Sequence, residues 1–197
     1  MGYMHIDNLY KNQTILLFRK CFALEKIHGT SAHVAWKDGA VRYFSGGEKH
    51  DKFKALFDDL GLVASFSELG QNSVVVFGEA YGGKCQGMSK TYGKDLRFAA
   101  FDVKIGAAWL RVPAAEEVVR RLGLDFVHYE EVSTDLEALD SERDRPSEQA
   151  FRNGCAERNN PETHRIAEGV VLRPLRELRD GAGDRIIVKH KRAEFRE

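Results

Sequence analysis

The feature that most constrains this chain is a set of short apolar runs bounded by glycine or charge. Val74-Val75-Val76-Phe77 runs straight into Gly78-Glu79, residues 98–103 form a second run interrupted only by Asp102, and Val170-Val171-Leu172 follows Glu168-Gly169. Runs this short, rich in β-branched and aromatic residues and without helical period, predict strands buried on both faces. Residues 32–36 and 41–44 flank Lys37-Asp38-Gly39, which predicts a hairpin with an Asp-Gly turn. Residues 169–172 and 186–191, separated by the Gly-rich stretch 180–184, predict a second hairpin. An apolar stretch from 15 to 22 continues to Ile27 and reaches Gly29. Phe53, Leu56, Phe57 and Leu60 have helical spacing, with Gly61 where a helix C-terminus tolerates positive φ. Pro113 opens a helix that runs to Leu122 with Arg120 and Arg121 in its last turn, and a further helix is expected around 136–139. The rest of 133–163 is polar, loosest at 153–161. Strand-rich halves with interspersed helices define an α+β fold.

At 197 residues with 43% apolar content, a single domain over 1–197 is the expectation. Thirty Lys and Arg balance thirty Asp and Glu, so a polyanion site must be local. Cys21, Cys85 and Cys155 are far apart, odd in number and form no CxxC pair, which suggests neither a disulfide framework nor a zinc site. A cytoplasmic location is therefore expected, or the host cytoplasm for a viral protein. No run approaches the roughly 20 apolar residues of a membrane helix, so no membrane partner is expected.

Glu25-Lys26-Ile27-His28-Gly29-Thr30 puts a lysine at the end of an apolar strand, just before a glycine that lets backbone approach closely. Alone, such a lysine reads as a strand-end residue reaching solvent. As a nucleophile it needs nearby cations or desolvation to shed its proton, because free lysine has a pKa of about 10.4. Gly78-Glu79, Phe101-Asp102, Glu168-Gly169-Val170-Val171-Leu172 and Lys189-His190-Lys191 all follow at strand ends. In this order the set resembles the motifs of the covalent nucleotidyltransferases: DNA ligases, RNA ligases and mRNA capping enzymes. KIHG, in place of KxDG, is most similar to the second phage RNA ligase family and the kinetoplastid RNA-editing ligases.

The resemblance implies an antiparallel-sheet-rich, ATP-grasp-like adenylation domain with flanking helices. It implies an ATP-dependent RNA ligase in which Lys26 attacks the α-phosphorus of ATP, carries AMP, and passes it to a 5′-phosphate that a 3′-hydroxyl then displaces. Mg²⁺ or Mn²⁺ is the implied cation. Lys189 and Lys191, two apart on one strand face, would meet the triphosphate, although a K-x-K strand is otherwise a solvated edge. Glu168 and Glu79 would serve the metal and its waters, with Glu79 also near the ribose; taken bare, Glu79 is a surface glutamate. Phe101 would stack on the purine with Asp102 behind it, although bare it reads as core. Glu25, Ile27 and Gly29 would line the nucleotide pocket. His28 belongs to the signature without an implied proton-transfer role.

Two departures stand out. KIHG is followed by Thr30-Ser31-Ala32 where relatives have Thr-Asn-Phe, and the next hairpin offers Arg42 at a position shifted from the expected arginine, with Ser45 in its place. Either a shorter hairpin brings Arg42 to the nucleotide, the preferred reading, or Ser45-Gly46-Gly47 binds phosphate through backbone N–H groups. The motifs end close to Glu197 and this chain holds no C-terminal accessory domain, so it is expected to be either a piece of a longer ligase or a minimal enzyme, with sealing of pre-adenylylated ends exceeding activation of 5′-phosphates. The expected partners are RNA ends or nicked duplex acting on a monomer, with RNA repair the associated role. A small DNA ligase, or a nucleic-acid-binding module of the same fold with weakened catalysis, are the alternatives. A GTP-using capping enzyme fits less well, since its motif reads KxDG.

Overall fold

In the computed structural model, which describes residues 2–195, the chain divides into two compact units. One holds Gly29–Phe126 with the N-terminal residues through Tyr3. The other holds Met4–His28 and the chain from Val127 onward.

The first unit carries β3 (Thr30–Lys37), β4 (Ala40–Ser45), β5 (Ser73–Gly82), β6 (Leu96–Ile105) and β7 (Ala108–Trp109) as one antiparallel sheet in the order β4-β3-β5-β6-β7. Its helices are α1 (His50–Lys54), α2 (Asp59–Glu68), α3 (Ser89–Tyr92) and α4 (Val112–Arg121). The expected hairpin is β3–β4: Asp38 and Gly39 take φ of 53° and 79°, the left-handed pair that matches strand twist. Val34, Trp36, Val74 and Val76 point into a core closed by Phe53, Phe66 and Phe98, and Trp36 stacks on Phe66 at 5.8 Å. Val112, Ala115 and Val119 form the buried stripe of α4, opened by Pro113 as expected.

The helix read over 53–60 is instead two helices. The chain breaks after α1 and restarts at Asp58, and Gly61 lies in the first turn of α2 rather than at a C-terminus. Leu62 and Phe66, not Leu60, set the buried side; Leu60 is 84% exposed.

The second unit carries β1 (Asp7–Asn8), β2 (Lys20–Lys26), β8 (Tyr129–Ser133), β9 (Gly169–Pro174) and β10 (Val188–Lys191) in the order β1-β10-β9-β2-β8, with α5 (Leu136–Arg143) and α6 (Glu148–Arg152). All its pairings are antiparallel except β1 with β10. Leu9, Ile15, Cys21, Ala23, Leu139, Val170, Leu172 and Val188 form its core on one sheet face. Strand alternation sends Phe22, Leu24, Lys26, Lys189 and Lys191 to the other face. Arg173 and Arg185, both buried, converge on Glu177 between β9 and β10.

Candidate active site

Register brings the lysines of the second unit together. Lys26 at the end of β2 pairs with Gly169, which in turn pairs with Lys191, so the three residues form one row across the sheet. Gly169 is the spacer for a steric reason. A Cβ there would lie 2.1 Å from the His190 carbonyl oxygen and 2.9 Å from the Lys191 Cα. Only hydrogen lets the strands close, and both lysines stand on either side of it.

Glu168 occupies the centre. Its Oε2 accepts from Lys26 Nζ at 2.7 Å and lies 3.0 Å from His28 Nδ1, while its Oε1 is 3.0 Å from Lys191 Nζ. The Glu168 N–H donates to the Lys26 carbonyl and its own carbonyl accepts from Arg192, each at 3.0 Å, so the carboxylate is fixed at both backbone ends. Its side chain is 5% exposed, against 23% for Lys26 and 13% for Lys191. Burial pushes the Glu168 carboxyl up. The Lys26 ammonium and the hydrogen bonds from Lys26, Lys191 and His28 outweigh burial and hold it below the usual carboxylate value. The result is one buried anion shared by two ammonium groups and an imidazole.

Alternation separates the neighbours of these residues. His190 turns to α5, 2.7 Å from Asp140 and 3.1 Å from Arg143. Lys189 faces as Lys191 does, its carbonyl accepting from the Leu9 N–H. Glu25, one residue before Lys26, sends its carboxylate the other way, to the Ser147 hydroxyl at 2.5 Å and the Gln149 N–H at 3.1 Å at the start of α6. Burial outweighs those two bonds and raises its carboxyl above the ordinary value. Its backbone N–H donates to the His128 carbonyl, and Ile27 is buried.

The first unit holds the other motif residues. Glu79 on β5 accepts the Gly29 N–H at 3.1 Å. Gly29 itself packs where a Cβ would meet the Ala80 carbonyl at 2.3 Å, and Gly78 packs where one would meet the Ala99 carbonyl at 2.4 Å. On β6, Phe77 pairs with Asp102 and Gly78 with Ala100, which makes Phe101 the extra residue of a bulge. The freed Ala100 N–H donates to Asp125. Behind the half-buried Phe101, the fully buried Asp102 accepts from the Tyr3 hydroxyl at 2.7 Å and from the Val103 N–H at 2.9 Å. Tyr3 meets Phe101 edge-on at 4.9 Å, a contact that no spacing in the sequence announces. Arg42 lies exposed on β4, opposite Ala35, and the Gly46 N–H donates to the Ser31 carbonyl at 2.9 Å.

Among the described residues no three His, Cys, Asp or Glu side chains gather as a metal-ligand set. A hard cation that keeps its waters and leans on phosphate needs only one or two carboxylates, and Glu168 of the second unit is of the type required.

A family model described as RNA ligase matches residues 19–191. Solved structures share the fold: Naegleria gruberi RNA ligase with PPi superposes with a TM-score of 0.72 at 16% identity, over 99% of this chain and 57% of that one. A lysine-to-alanine mutant of the same protein with ATP and Mn gives 0.70 at 15% identity over 99% and 57%. The chain thus spans little more than half the length of the relatives that it matches in structure. A search of curated proteins by sequence finds no match. With the family model covering the chain from β2 to the end of β10, this protein belongs to the RNA ligase family.

Proposed function

We propose that this protein is an ATP-dependent RNA ligase that forms a lysyl-AMP intermediate on Lys26 and joins 5′-phosphate to 3′-hydroxyl ends. The observation that carries this reading is the row Lys26-Gly169-Lys191 with Glu168 held between the two ammonium groups. In the resting arrangement the Lys26 nitrogen is tied to Glu168 as an ammonium, and its lone pair is blocked. Glu168, held below its ordinary pKa, is a weak base that orients Lys26 rather than taking its proton for good.

An arriving triphosphate gives Lys191 and Lys189 a second anion to bind. Their positive charge beside Lys26 then favours loss of its proton to solvent. The neutral amine attacks the α-phosphorus, the bond to the β-phosphate oxygen breaks, pyrophosphate leaves, and a phosphoramidate remains on Lys26. The AMP then moves to an RNA 5′-phosphate, and the 3′-hydroxyl displaces it. Glu168 is the carboxylate that would hold a divalent cation, Mg²⁺ or Mn²⁺, and Glu79 is the further one that the family pattern assigns to it; the cation would neutralise charge on the phosphate oxygens. Phe101 stacks the purine, and the bulge that aims it, with Asp102 and Tyr3 behind, supports that role. Gly29 and the backbone of Glu25 and Ile27 line the pocket, and Arg42 reaches the ribose or a phosphate.

The test is incubation with α-labelled ATP or GTP and a divalent cation, denaturing separation, and the same with Lys26→Ala. Label from ATP alone, lost in the variant, is expected. No label in folded protein would leave a nucleic-acid-binding module as the reading. Parallel sealing of nicked RNA and nicked DNA separates RNA ligase from DNA ligase.

A further inference from the structure

We propose that the loop joining β5 to β6, residues 83–95, is a cradle for the phosphodiester backbone of the RNA strand. This deepens the ligase reading and rests on it. Beyond the bulge at Phe101 the β5–β6 ladder continues to the pair Gly82 and Leu96, where a two-residue turn would close the hairpin. A far longer connection stands there, and it is built rather than loose. Tyr92 is fully buried, edge-on to Tyr81 at 5.3 Å; the Cys85 thiol donates to the Ala80 carbonyl at 3.4 Å; and the Gly83 N–H donates to the Gly93 carbonyl at 2.9 Å across the base of the loop.

Its backbone is repeatedly left-handed. Gly82, Gly83, Gly87 and Gly93 have φ of 78°, 57°, 70° and 96°, and Gln86, without the freedom of glycine, has 49°. Ordering so many glycines costs conformational entropy, and a left-handed glutamine stores strain, the kind of cost that accompanies function. The N–H groups of Gly83, Gly87 and Gly93 donate to carbonyls inside the loop, so the backbone sets its shape and the side chains carry its charge.

What the loop presents outward is cationic. Lys84, Lys90 and Lys94 are exposed, and Arg97 follows on β6, 4.0 Å from Asp95. Asp95 is the one acid within residues 83–95. In a chain with thirty charges of each sign this is a local excess of positive charge. Three exposed lysines spread along one loop suit a row of phosphates better than the single triphosphate assigned to Lys189 and Lys191. The root of the loop lies near Gly29 of the same unit, which packs on Ala80 and Tyr81.

The experiment compares the full chain with Lys84→Ala/Lys90→Ala/Lys94→Ala and with the corresponding triple arginine variant. It measures binding of a fluorescent 5′-phosphorylated single-stranded RNA across a salt series, and labelling of Lys26 from α-labelled ATP. Each phosphate contact on a single strand contributes about −0.7 to the slope of log K against log salt, so the alanine variant should flatten it by about 2. Labelling should stay unchanged, and the arginine variant should keep the slope. An unchanged slope, or no RNA binding by the parent protein, overturns the proposal. Lost labelling with an unchanged slope overturns it too, in favour of a triphosphate contact. Absence of labelling in the parent protein fails the ligase reading, while the slope comparison still decides whether the loop binds RNA.

Discussion

Replacing Glu168 by alanine leaves Lys26 and Lys191 facing one another across Gly169 with the shared anion gone. At 2.7 Å and an effective dielectric near 20, one such ion pair is worth about 6 kcal/mol before the cost of burying the charges. Removing one member of a buried pair costs about 3–5 kcal/mol. Lys26 is 23% exposed and can rehydrate in part, so the lower end of that range, about 3 kcal/mol, is expected. Both tryptophans, Trp36 and Trp109, belong to the other unit, so the readout is taken within the unit concerned. Hydrogen exchange of peptides from β2, β9 and β10 reads it directly, with protection falling about a hundredfold. Glu168→Gln, which keeps an acceptor but no charge, should fall between parent and alanine.

The same variant carries a pH signature. Because the folded carboxyl is held below its ordinary value, the stabilisation is full above the unfolded value of about 4.3 and is lost as pH falls through the folded one. The gap between parent and Glu168→Ala should be widest at pH 7 and close in acid. A gap below about 1 kcal/mol at pH 7, or one that persists unchanged in acid, would refute the assignment of net stabilisation to this cluster.

Three further outcomes are expected. Gly169→Ala should cost at least about 3 kcal/mol or prevent folding, since the added methyl meets the His190 carbonyl, and thermal melting by far-UV circular dichroism checks it. Glu177→Ala takes a carboxylate from two buried guanidiniums and should lower stability by about 3 kcal/mol in urea titration, whereas Arg179→Ala at the exposed turn should not. Burial pushes the Cys21 thiol up to about 12, so a maleimide should modify the partly exposed Cys155 first and reach Cys21 only on unfolding, as mass spectrometry of timed digests would show.

Strands with short apolar runs could be read directly, because burial on both faces leaves its mark on nearly every residue; β5, β6 and β9 all extend the stretches expected. Tyr129–Ser133 left no such mark. It is an edge strand whose Glu130 and Glu131 are exposed, and its partner β2 supplies the apolar side. Local periodicity also failed at α1 and α2, where Phe53 and Leu60 share a spacing but not a helix. Within the site, alternation alone puts Lys189 and Lys191 on one face, and the same rule turns Glu25 away from Lys26. The meeting of Lys26 with Glu168 spans 142 positions and depends on register, which composition does not encode. The bulge at Phe101 and the arrival of Tyr3 behind it are likewise products of pairing.

Gly29, Gly78 and Gly169 each sit where a methyl group would strike a neighbouring carbonyl. Heredity can therefore treat the motif as two texts written over each other, one for the frame and one for the reaction. On the proposal that Lys26 is the nucleophile, a variant without it would lose labelling from ATP and still need all three glycines to fold.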